Sequence, residues 1–151
     1  MTPSGHTPTT HLPLLDLVAL LKEEHQTLLA LARELEAVLP SPRAKSVAVS
    51  TQPKLKQFLG RIIALLTSHG KMETQVLFPA LLSRLPQSDH WQVRMLEIQD
   101  EAILVEAGHL RDWCAEAPAP SAARFREHGV RLVRWLREHV AIEEERLFPK
   151  L

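Results

Sequence analysis

The chain has 151 residues, no tyrosine and a single cysteine, Cys114. Without tyrosine it cannot carry a tyrosyl radical. One cysteine excludes an internal disulfide and any cysteine-rich zinc or iron–sulfur centre. Neither charge is in surplus, with 18 basic and 18 acidic residues and a formal net charge of zero. Nucleic acid and anionic membrane both select a basic surplus, so neither is expected as a partner. No apolar run approaches the ~18 residues of a membrane span. The N-terminus lacks the basic-then-apolar order of a secretory signal. A cytoplasmic location is the expectation. Strand-like alternation and glycine-rich phosphate loops are also missing.

What is present is helical. Hydrophobic residues make up 45% of the chain, ordinary for one soluble domain with one core. Residues 1–11 are small, polar and proline-containing, and read as a flexible tail whose His6 and His11 face solvent. The domain is expected over 12–151. A first helix should start near Pro13 and run to about Leu39. Its face Leu14, Val18, Leu21, His25, Leu28, Ala32, Leu35 and Leu39 repeats in steps of three and four. Residues 40–46 form a turn-rich connection.

A second helix should begin between Ser46 and Pro53 and reach about Leu85, with Phe58, Ile62, Leu65, His69, Met72, Glu73 and Val76 inward. Gly70 weakens it by ~1 kcal/mol relative to alanine, and Pro79 should kink or end its regular part. A third covers roughly His90–Glu116, capped by Ser88 or Asp89. A fourth follows Ser121, with Phe125, Leu132, Trp135, Leu136, His139, Ile142 and Glu143 inward. Four long amphipathic helices on short connections predict an all-α, up-down-up-down four-helix bundle.

Inside this pattern the chain repeats itself. His69, Glu73 and Leu77-Phe78-Pro79 recur at a constant offset of 70 residues as His139, Glu143 and Leu147-Phe148-Pro149. Residues i and i+4 share a helix face. Each copy therefore aims an imidazole and a carboxylate at one point, a pairing that iron, manganese and zinc accept. With His25 in the middle of the first apolar stripe, five inward polar groups are expected to converge. Buried without partners, each would cost several kcal/mol. A metal ion relieves that cost; a metal-free network of His–Glu hydrogen bonds is the competing arrangement.

The third helix supplies no inward histidine. Matching Leu21, Leu28, Ala32 and Leu35 to Leu96, Ile103, Ala107 and Leu110 puts Asp100 opposite His25. In a rival register Gln99 faces the centre, one charged ligand short. The metal-ligand set is then His25, His69, Glu73, Asp100, His139 and Glu143. His90, His109 and His128 read as surface or bundle-end residues. Trp91, Trp113, Trp135 and Met95 read as core or boundary packing, and Cys114 as an inert buried thiol. The rest of the acidic run Glu143-Glu144-Glu145, like Glu97 and Glu101, reads as solvated.

His25, His69-x-x-x-Glu73 and His139-x-x-x-Glu143 with the Leu-Phe-Pro repeat resemble the hemerythrin family, and within it the HHE cation-binding branch. The resemblance covers about residues 12–151. It implies two oxygen- or carboxylate-bridged irons, with Glu73 and Glu143 as bridges. It also implies a small ligand such as O2, NO or peroxide, or a role in handling iron. One ion, zinc or manganese are the alternatives, and the absent histidine on the third helix is the departure from the family pattern. The expected role is metal and gas binding more than enzymatic catalysis, with a homo-oligomer or protein partner left open. The competing function is a non-catalytic bundle that acts as an interaction module around a reduced or vestigial metal site.

Overall fold

A computed structural model describes residues 13–116 and 119–151; the expected tail, with His6 and His11, lies outside the described residues. Helix α1 spans Leu14–Val38 behind Pro13. Helix α2 spans Gln52–Met72 and passes through a π-helical turn, Glu73–Leu77, into α3, Phe78–Arg84. A 3-10 turn, Gln87–Asp89, leads into α4, His90–Trp113. Helix α5 spans Ala122–Ile142 and ends in a second π turn, Glu143–Leu147, and a 3-10 turn, Phe148–Lys150. The chain is an all-α four-helix bundle. Helix α1 packs against α2 and α5, and α4 packs against the same two from the other side. The third long helix ends at Trp113, short of the Glu116 read from sequence.

Proline explains the π turns. A prolyl ring has no N–H to donate and clashes with the carbonyl four residues back. In both repeats the widening comes just upstream of the proline: Phe78 N–H bonds Glu73 O and Phe148 N–H bonds Glu143 O, five residues back. Pro79 can then sit in the first turn of α3, where no N–H is needed. Regular α-helix thus ends at Met72, before Pro79 rather than at it. The wider turn also rotates the residues downstream of Glu73. Val76, expected inward, is exposed, and Leu77 and Phe78 take its place in the core.

Two apolar clusters fill the interior. One holds Leu28, Leu35, Leu59, Ile62, Leu66, Ile103, Phe125, Leu132 and Leu136. The other holds Leu17, Leu21, Leu77, Phe78, Leu81, Leu96, Leu147 and Phe148. On every long helix the chain crosses from one cluster to the other at a polar residue: His25 on α1, His69 and Glu73 after α2's leucines, Asp100 on α4, His139 and Glu143 on α5. These form one polar layer between two dry ones, which fixes its height in the bundle.

The connection before α2 is fastened to the one before α5. Val47 N–H donates to Pro120 O at 3.0 Å and Ala122 N–H to Lys45 O at 3.3 Å. Nearby, α5 comes so close to Leu39 that a Cβ on Gly129 would lie 2.5 Å from a Leu39 methyl. Cys114 is buried, and burial pushes its thiol up to about 11. Trp113 and Trp135 pack against the core, whereas Trp91 and Met95, expected to pack, are 59% and 55% exposed. Their face of α4 points away from the bundle. Among the described residues no helix is long and apolar enough to cross a membrane.

Candidate metal centre

His25, His69, Glu73, His139 and Glu143 are all buried in the polar layer. His69 Nε2 lies 2.5 Å from Glu73 Oε1, and His139 Nε2 lies 2.8 Å from Glu143 Oε1. These are the two i, i+4 pairs of the repeat. His25 Nε2 stands 3.1 Å from Glu143 Oε2 and 3.2 Å from His69 Nε2. Across the bundle, His139 Nε2 is 2.9 Å from Asp100 Oδ1 and 3.6 Å from Glu73 Oε1. The donor atoms form two compact sets. His25, His69, Glu73 and Glu143 make one, and Glu73, Asp100 and His139 the other, so Glu73 belongs to both.

The far side of each imidazole is held as well. His25 Nδ1 faces Glu144 Oε1 at 2.9 Å, His69 Nδ1 faces Glu24 Oε2 at 2.6 Å, and His139 Nδ1 faces Gln99 Oε1 at 3.0 Å. A proton on Nδ1 satisfies each oxygen, so in the neutral ring Nε2 carries the lone pair, aimed into the layer. Metal-binding histidines are held in this way. His25 is further set by Phe148 of the Leu-Phe-Pro repeat, whose ring stacks parallel to it at 5.8 Å.

The donor set fits a cation on three counts. His25 and His69 bring their Nε2 atoms to 3.2 Å, a contact that in the neutral rings needs a proton or a cation between them. Glu73 Oε1 and Oε2, Glu143 Oε1 and Oε2, Asp100 Oδ2 and His139 Nε2 are buried without an aligned hydrogen bond. Several of them approach a neighbour within hydrogen-bonding distance, so their failure is one of direction, as expected of atoms pointed at a shared centre. Third, protein groups alone leave the layer hungry for positive charge. Burial opposes charge on His69, yet Glu73, Glu143 and Glu24 raise it to about 9. His139 is likewise desolvated and still held well above its ordinary value by Glu143, Asp100 and Glu73. Burial, reinforced by Glu73 and resisted by His139, lifts Asp100 to about 7. Burial would raise Glu143, but His139 and His25 bring it down to about 2.

Asp100 and Gln99 divide the task that the sequence left open between them. Consecutive residues on α4 bracket the His139 ring, Asp100 on its Nε2 side within the layer and Gln99 on its Nδ1 side outside it. Glu24 and Glu144 are functional candidates that the sequence reading missed; Glu144 was read as solvated. The available signal was adjacency, since each is next in sequence to an inward residue. His128, read as a surface or bundle-end residue, is half-buried with Glu106 and Arg131 in the first half of α5, at a distance from the layer. His90 Nε2 donates to Leu85 O at the end of α3.

A cleft between α2 and α4 borders the layer at Asp100. It has a volume of about 550 Å³ and is lined by Leu66, Thr67, Gly70, Lys71, Glu97 and Leu104, among others. The Asp100 side chain is 20% exposed, while those of His25, His69, Glu73, His139 and Glu143 are at most 3% exposed. Gly70 lines the cleft, and a Cβ there would meet nothing within 4 Å.

No curated protein and no solved structure matches the chain. The family model of the hemerythrin HHE cation binding domain matches residues 16–151, a span that contains every helix segment bearing the polar layer. The chain therefore belongs to the hemerythrin HHE cation-binding family.

Proposed function

We propose that the polar layer holds two iron ions and that the protein binds a small ligand there, O2, NO or peroxide. The supporting observation is the pair of donor sets sharing Glu73. His25, His69, Glu73 and Glu143 would hold one ion and Glu73, Asp100 and His139 the other, Glu73 being common to both sets. Two bound irons supply reversible coordination or reduction of such a ligand. The protein's own part is positional. Glu24, Glu144 and Gln99 keep three imidazoles in one tautomer. The leucine and phenylalanine layers above and below keep water out, which strengthens every charge interaction inside. The second donor set lies beside the cleft, so it is where an external ligand would arrive.

Charge supports two ions over one. Glu73, Glu143 and Asp100 line the layer, and Glu24 and Glu144 sit directly behind two of its histidines. One divalent ion would leave this group strongly anionic. The non-catalytic bundle with a vestigial site is the weaker reading, because Asp100 restores a carboxylate where the third-helix histidine is absent. Protein loaded anaerobically with iron(II) and titrated with NO, or loaded, oxidised to iron(III) and titrated with azide, should develop a new visible absorption band. Absence of any ligand-dependent band in iron-replete protein overturns the gas-binding role and leaves a structural metal site.

A further inference from the structure

We propose that the outer face of α4 is a homodimer interface, on which a second copy of this chain lays its own α4 antiparallel. The helix is apolar on two sides. Its inward side carries Val93, Leu96, Ile103, Ala107 and Leu110. On the opposite side Trp91, Met95, Ile98, Ala102 and Val105 follow one another at steps of four, three, four and three. That is the spacing of a helix–helix seam. Trp91, Met95, Ile98 and Val105 are 59%, 55%, 62% and 51% exposed. The remaining exposed large apolar residues, such as Leu15, Val49 and Val130, are scattered over other elements.

The seam is complementary to itself. A two-fold axis through Ile98 sets Trp91 against Val105 of the second copy, large against small, and brings Met95 to within one residue of the level of Ala102. The charged neighbours obey the same axis. Arg94 lies four residues before Ile98 and Glu101 three after it, both exposed and on the same flank of the seam. In an antiparallel pair Arg94 of each copy faces Glu101 of the other, giving two opposite-charge pairs, as an isologous interface requires. Among the described residues, Arg94 pairs with Glu97 of its own helix, at 3.2 Å and in solvent. In a parallel pair the two copies' Arg94–Glu101 flanks would lie on opposite sides of the seam, and these charge pairs would not form. The same face borders a small apolar pocket formed by Trp91, Met95, Leu96, Gln99, Ile142 and Arg146. Dimerisation would close this pocket over Gln99, the residue behind His139. The inference stands on this face alone and does not depend on which metal the bundle holds.

Sedimentation equilibrium of the full chain, as purified, tests it. The expected mass is twice the 17.1 kDa of one chain. Ile98→Glu puts two carboxylates on the axis and should give a monomer with unchanged helical circular dichroism. Arg94→Glu and Glu101→Arg should each weaken the dimer about tenfold, since each turns two attractive pairs into repulsive ones. The two together should restore it, a result that separates an antiparallel second copy from non-specific stickiness. A wild-type chain still monomeric at ~100 μM, where any pair tighter than about 10 μM would assemble, overturns the proposal and assigns the face to a different partner. So does a dimer that survives Ile98→Glu, or a double variant that stays weak.

Discussion

His25 and His69 bring their Nε2 atoms to 3.2 Å of each other, while the Nδ1 of each faces a carboxylate, Glu144 and Glu24. The outer carboxylates select the tautomer that makes the inner contact repulsive. A second proton relieves it, and so does a metal ion. Metal should therefore stabilise the fold. A ligand that binds only the native state at a thousandfold excess over its dissociation constant adds about 4 kcal/mol. For a chain of this size that is ~8–16 °C in Tm. Differential scanning calorimetry before and after chelation checks this, and equal midpoints with metal demonstrably removed would point to a bundle that does not use it.

Glu24, Glu144 and Gln99 should matter through the rings they hold. Loss of such a partner typically costs about 10–100-fold in metal affinity. Glu24→Ala and Glu144→Ala should each show that loss by competition with a chelator of known affinity. Glu145→Ala, on an exposed neighbour, should show none. Equal behaviour of Glu144→Ala and Glu145→Ala would remove Glu144 from the site.

Asp100 and Gln99 should fail differently. Asp100→Ala removes one of three donors of the second set and should lower stoichiometry from two ions per chain toward one. Gln99→Ala frees the His139 ring but removes no ligand, so stoichiometry should stay at two while affinity falls about 10–100-fold. Metal analysis after equilibrium dialysis separates the two.

The metal-free chain should lose stability as pH rises. His69, raised from 6.5 to about 9, favours the fold fully below about 6.5 and stops doing so as pH passes 9. Asp100, raised from 3.8 to about 7, favours it below about 3.8 and loses that contribution through pH 7. Glu143 acts oppositely. Lowered from 4.5 to about 2, it stabilises above 4.5, and that contribution is lost as pH falls through 2. Tm of the metal-free chain should fall between pH 5 and 9. With metal present the trend should reverse over the same range, because protons compete for the ligands. A metal-free Tm that rises from pH 5 to 9 would contradict this picture of the layer.

Gly70 offers a test of the cleft. Gly70→Ala should stabilise the chain by ~1 kcal/mol, since helix propensity improves and the added methyl meets no atom within 4 Å. Gly70→Leu should narrow the cleft. NO association with the iron(II)-loaded protein should then slow in stopped-flow absorbance while metal content holds. An unchanged association rate would place the access route elsewhere.

The sequence carried the bundle and its inward groups because both are written in local spacing. Steps of three and four gave α1 within a residue at each end, and the 70-residue offset marked His69, Glu73, His139 and Glu143. The π turns were not legible. Pro79 and Pro149 announce a disturbance, but whether a helix breaks, kinks or widens ahead of a proline depends on what the neighbouring helices will accept. Glu24 and Glu144 were missed for a similar reason. A carboxylate beside an inward histidine looks solvated until the partner helix is in place, and His69 and His25 reach them from α2 and α1 across 45 and 119 residues of chain. On α4 the two apolar stripes made Gln99 and Asp100 hard to rank, because one stripe faces the bundle and the other faces outward.

Two donor sets sharing Glu73 are the central claim, and anaerobic titration of the metal-free chain with iron(II) tests them most directly. Two sets predict saturation at two ions per chain, with Asp100→Ala saturating near one. Saturation of the wild-type chain at one ion, or no binding at all, would contradict them.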